Sequence, residues 1–163
     1  MELKKSKQHL KKALKFIPLA SQTFSKSYLQ YPDKFPLFAN NGNGGRITDL
    51  DNNEYVDLIM GLLPLTLGYN DKDINRAIIK QLDKGITFSL PTALEYELSH
   101  KLTKIIPSAE KVRFAKNGTD VTSGAIRLAR GITKKDKIIT CGYHGWQDWY
   151  IGTTSRHLGV PKK

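Results

Sequence analysis

The stretch from Lys111 to Cys141 constrains this chain more than any other. Lys111–Ala115 alternates as a short strand does, with Val112 and Phe114 on one face. Asn117-Gly118-Thr119 is a turn. A helix is expected from about Asp120 to Arg130, with Val121, Ala125, Leu128 and Ala129 inward and Gly131 as its stop. Ile138–Cys141 reads as the next strand. Strand, tight turn, helix, strand is a βαβ unit, whose crossover is right-handed and whose strands are parallel. The chain is therefore expected to be α/β.

Upstream, residues 1–15 hold Lys4, Lys5, Lys7, Lys11, Lys12 and Lys15 against Glu2, and residues 3–17 read as a basic amphipathic helix, which Pro18 ends. Residues 21–45 read as an extended, irregular segment closed by the Asn-Gly run at 40–45. Arg46–Leu50 and Glu54–Leu58 form a hairpin around Asp51-Asn52-Asn53. Ile59–Leu67 suits a buried loop. Asp71 and Asp73 open a helix that carries Ile74, Ala77, Ile78 and Leu82 at helical spacing and stops before Gly85. Thr92-Ala93-Leu94-Glu95 is a capping box, and Leu94, Leu98, Leu102 and Ile105 continue one face up to Pro107. At 163 residues the chain has room for one ordinary domain.

The net charge of +11 admits a basic binding module, yet no RNP-like aromatic motif, zinc-finger spacing or arginine cluster accompanies it. A solvated face explains the lysines better. Cys141 is the only cysteine, which excludes an internal disulfide and suits a reducing compartment. No apolar run can span a bilayer; the longest, Leu58–Leu67, is broken by Gly61 and Pro64. No membrane and no nucleic acid are expected as partners, and the cytoplasm is the default location.

Two readings of the turn stay open on spacing alone. Free N–H groups at a helix N-terminus, the bare Gly118 and the Thr119 hydroxyl suit an anion; an ordinary helix cap needs the same residues. Tyr143-His144-Gly145-Trp146 follows the second strand on the edge where α/β proteins bind ligands. Tyr143 and Trp146 are read equally well as core packing, and His144 as a satisfied structural group.

Several segments together resemble a known family. They are Asp49-Leu50-Asp51-Asn52-Asn53-Glu54-Tyr55-Val56-Asp57, Leu67-Gly68-Tyr69, Pro91-Thr92-Ala93-Leu94-Glu95-Tyr96-Glu97-Leu98, Asn117-Gly118-Thr119-Asp120, Ala125-Ile126-Arg127-Leu128-Ala129-Arg130-Gly131 and Tyr143-His144-Gly145. In order and spacing the set resembles class III, fold-type I pyridoxal-phosphate aminotransferases, nearest the glutamate-1-semialdehyde 2,1-aminomutase subgroup.

The resemblance implies a cofactor, pyridoxal 5′-phosphate. Gly118 and Thr119 match the phosphate-binding pair, and Asn117 stands where the family usually has serine. Tyr143 matches the aromatic that stacks on the pyridine ring, His144 follows it, and Trp146 is in the place that faces substrate in some members. The resemblance also implies a small-molecule amino donor and acceptor, and a homodimer in which residues near Ser89–Thr92 help form the partner's site. It implies an N-terminal segment over 1–70 and the start of a large, mostly parallel three-layer domain over 71–163. The family's cofactor-linked lysine lies further along, so no catalytic residue is expected here and these residues alone are expected to be inactive. Apolar faces are expected to lie uncovered. The alternative is a non-catalytic basic module that retains the βαβ unit.

Overall fold

The structure, a computed structural model, describes residues 2–161. It divides into two compact units, Met1–Thr87 and Phe88–Lys163.

In the first unit, helix α1 spans Lys4–Ala13 and ends before the expected 17. Leu3 stands at its N-cap and has no side-chain oxygen to offer. The cap comes instead from 45 residues away. The Asp51 carboxylate accepts the backbone N–H of Lys5 at 2.7 Å and of Ser6 at 2.9 Å, and the Ser6 hydroxyl at 2.8 Å. Leu3, Ser6 and Ala13 form the buried face, and the lysines face solvent.

Three short 3₁₀ turns lead into an antiparallel sheet of β1 (Ala39–Asn43), β2 (Arg46–Asp49) and β3 (Glu54–Val56). The β2–β3 hairpin is the expected one. Strand β1 corrects the irregular reading of residues 39–43. Asn and Gly have low strand propensity, but hydrogen bonding to β2 overrides it. Gly42 is required there, because a Cβ would stand 2.5 Å from the Tyr69 ring. Asp49, fully buried, organises the β2–β3 turn. It accepts the N–H groups of Asp51 and Asn53, the Asn53 amide at 2.8 Å and the Tyr55 hydroxyl at 2.8 Å. The segment 59–67 is a loop as expected, but an exposed one: Leu63 is 79% and Leu67 68% accessible. Helix α2 (Lys72–Leu82) starts as read, with Asp71 accepting the N–H groups of Asp73 and Ile74.

The second unit holds α3 (Ala93–Ile105), α4 (Gly118–Thr133) and the single turn α5 (Asp148–Ile151). The capping box at α3 is present, with Glu95 accepting the Thr92 N–H at 3.2 Å. Helix α4 runs through Gly131 and stops at Lys134, whose φ of 57° is left-handed. The expected strands 111–115 and 138–141 are a correction: neither is assigned as a strand, and the only sheet among the described residues is β1–β2–β3. A strand exists only through a partner, and neither segment has one here. The helix between them is real, but the parallel pairing is not formed.

Among the described hydrophobic residues only Leu3, Ala13 and Tyr150 are buried. Val121 and Leu128, expected to face inward, are 43% and 65% accessible, and Ile139 is fully exposed. The uncovered apolar faces are thus as expected. No described helix is long and apolar enough to cross a membrane.

Candidate functional site

The site is the first turn of α4 and the loop seated on it. Asn117 caps the helix, its carbonyl accepting the N–H groups of Asp120 and Val121. The Asp120 carboxylate accepts in return from the Asn117 backbone N–H at 3.2 Å and from its amide at 3.3 Å. The N–H groups of Gly118 and Thr119 precede these and have no partner among the described residues. A Cβ on Gly118 would meet nothing within 4 Å, so the backbone is open to a close approach. The Thr119 side chain is half-buried, and its hydroxyl makes no hydrogen bond to any described residue. Three free donors therefore gather at the positive end of a 16-residue helix.

Residues 142–147 are held against this turn from several directions. The Thr122 hydroxyl, one turn along from Thr119, lies 3.0 Å from the His144 carbonyl. The Trp149 indole N–H donates to the Ser123 hydroxyl at 3.0 Å. Buried Tyr150 props the loop from beneath: its hydroxyl donates to the Gly142 carbonyl at 2.7 Å. The rings of Tyr143 and His144 stand edge-on to Tyr150, with centroids 5.9 Å and 5.3 Å away. Gly145 is buried, with φ at +112°. A Cβ there would stand 2.5 Å from Thr119 Oγ1 and 2.9 Å from Gln147 Oε1. Only glycine keeps the space beside the Thr119 hydroxyl clear.

The structure therefore brings Asn117, Gly118, Thr119, His144 and Gly145 together. Tyr143 is 77% and Trp146 72% accessible, so neither packs a core in this chain. Thr122, Gln147, Trp149 and Tyr150 were missed in the sequence. The i, i+3 spacing of Thr119 and Thr122 signals a shared helix face; nothing local marks the others. A groove of about 900 Å³ lies elsewhere, against Leu94, Leu98, Val112 and Phe114. Of its two charged lining residues, Glu95 is committed to the α3 cap, leaving Arg113. No cluster of metal-ligating side chains occurs among the described residues.

A model of the class III aminotransferases matches residues 28–162. The chain belongs to this family. It is 37% identical to a 3-aminobutyryl-CoA aminotransferase of Cloacimonas acidaminovorans, over all of this chain and 39% of that protein. It is 43% identical to a glutamate-1-semialdehyde 2,1-aminomutase of Saccharolobus islandicus, over 72% of this chain and 28% of the relative. A solved structure of the Sphingopyxis sp. MTA144 FumI protein, in its PLP internal aldimine form, superposes with a TM-score of 0.82 at 31% identity. That match covers 88% of this chain and 35% of the other. The chain thus spans between about a quarter and two-fifths of the lengths of the curated relatives. Its fold is the N-terminal part of a fold-type I transferase of the class III aminotransferases.

Proposed function

We propose that these residues form the N-terminal part of a pyridoxal-phosphate aminotransferase or aminomutase that acts on a small amino or carbonyl compound. The observation that carries this is the set of three unpartnered donors, from Gly118 N–H, Thr119 N–H and Thr119 Oγ1, at the start of α4. Their chemistry fits a phosphate dianion. Asn117 shapes the turn through its cap with Asp120. Tyr143 offers an exposed π-face on the adjoining loop, suited to an aromatic ring. His144 anchors that loop through its carbonyl. Trp146, exposed one residue beyond the buried Gly145, is assigned to the substrate side.

Bound pyridoxal phosphate supplies the electron sink that such chemistry needs. The residues of this chain bind and orient; none of its lysines is assigned a catalytic role, and the segment alone is proposed to be inactive. The assembled enzyme is proposed to be a cytoplasmic homodimer. Within it, residues 1–70 are an N-terminal segment and 71–163 begin the large domain.

The test is cofactor binding by the intact gene product that carries this segment. Thr119→Ala removes one hydrogen bond to a charged group, about 1.5–3 kcal/mol, so affinity falls on the order of tenfold to a hundredfold. An unchanged dissociation constant would make Thr119 a mere part of the helix end and overturn the assignment.

A further inference from the structure

Gln147 is the one residue near the site whose chemistry is left over. Its side-chain oxygen is buried and has no hydrogen-bond partner among the described residues. A buried, unmade hydrogen bond is costly, so such an atom calls for an account. Its position supplies one. Gln147 Oε1 and Thr119 Oγ1 crowd the same point, 2.9 Å and 2.5 Å from where a Gly145 Cβ would stand. Both are unpartnered, and the absence of a side chain on Gly145 leaves them facing one gap.

The two ends of a carboxamide are chosen by their hydrogen bonds, and here they have different consequences. An oxygen turned toward Thr119 accepts the threonine's only proton and takes it away from an anion. A nitrogen turned toward Thr119 donates to a lone pair of its oxygen. The hydroxyl proton is then free to point at the anion beside Gly118.

We propose that Gln147 is a positioning residue of the phosphate turn: its carboxamide N–H donates to Thr119 Oγ1 and directs the Thr119 hydroxyl proton toward the bound phosphate. The assignment rests on the phosphate reading of the α4 turn. It gives the buried Gln147 group a partner and makes the hydroxyl a committed donor. It also accounts for glycine at 145, since any Cβ would part the two side chains.

The test is a double-mutant cycle on cofactor affinity in the intact gene product, read by titration with pyridoxal phosphate and, as a competitor, inorganic phosphate. Gln147→Leu removes the donor at similar length. It is expected to weaken both ligands about threefold to tenfold, the range for one neutral hydrogen bond. In a Thr119→Ala background the same change is expected to do nothing, because there is no hydroxyl left to orient. Gln147→Glu, which cannot donate when ionised, is expected to fail to restore affinity in the Thr119 background; Gln147→His, which keeps an N–H, is expected to restore part of it. Equal losses from Gln147→Leu in both backgrounds would overturn the proposal, as would wild-type affinity in Gln147→Leu. If Thr119→Ala alone leaves both affinities unchanged, the phosphate reading itself fails, a distinct result. Thermal melting without ligand gives the structural control: a purely packing role would lower stability and leave the affinity of the folded protein unaltered.

Discussion

Gly145→Ala, compared with Gly142→Ala, asks whether the space beside Thr119 is what the loop is built to keep. Both glycines have positive φ, +112° and +86°. Holding a residue with a Cβ in such a conformation costs about 1–3 kcal/mol. The two differ in what the new atom meets. At 142 it meets nothing within 4 Å; at 145 it stands 2.5 Å from Thr119 Oγ1 and 2.9 Å from Gln147 Oε1. Gly142→Ala is therefore expected to cost backbone strain alone, about 1–3 kcal/mol in urea unfolding. Gly145→Ala is expected to cost more, because side chains at the α4 turn must also shift. If the Thr119 hydroxyl holds the phosphate as proposed, with a bond of about 1.5–3 kcal/mol, displacing it is expected to weaken pyridoxal phosphate binding at least tenfold. Calorimetric titration of both variants of the intact gene product measures this directly. Equal cofactor affinities in the two variants would refute the reasoning, since strain without the clash would then suffice.

Four further outcomes follow from the geometry. Tyr143→Ala should leave ligand-free stability nearly unchanged, because the ring is 77% accessible, yet weaken cofactor binding; Tyr143→Phe should keep most of it, and paired melting curves with and without cofactor read both effects. Asp51→Ala should free the first turn of α1, so exchange of the Lys5 and Ser6 amides speeds up while that of α3 does not change. Burial raises the carboxyls of Asp49 and Asp57, but hydrogen bonds outweigh it, from Asn53 and Tyr55 and from Tyr69, and hold both below the usual 3.8; their contribution is complete above that value and is lost as pH falls through the lower native values, seen as acid unfolding of residues 1–87. At the alkaline end the order reverses. Burial and the Asp49 bond push the Tyr55 hydroxyl up to about 12, and the Asp57 bond does the same for Tyr69; this stability is complete below 10 and is lost as pH rises through about 12, which tyrosinate absorbance follows.

Much of the outline was legible because it is local. A capping box, a turn triplet between two β-prone runs and acidic residues before an apolar period each act within a few residues, and α3, the β2–β3 hairpin and α2 all start where those signals stand. The Gly118-Thr119 turn was readable for the same reason: free N–H groups at a helix start need no distant partner. Ordered family segments, rather than any single motif, are what favour an anion turn over a plain cap in the sequence reading.

What only the tertiary structure decided is what distant segments do to each other. Asp51 caps a helix 45 residues away, and no local pattern marks that carboxylate as belonging to α1. Strand β1 forms from Asn and Gly because β2 supplies its hydrogen bonds and Tyr69 lies where only a glycine leaves room. Residues 111–115 and 138–141 have strand-like sequences and form no ladder, since β structure resides in a pair and not in a segment. At the site, Thr119 lies in the first turn of α4, where the sequence reads as a turn before the helix, and Gln147, which that reading does not single out, stands 28 positions later. Their meeting across the bare Gly145 depends on a left-handed backbone angle and on Tyr150 holding the loop from below, both products of packing.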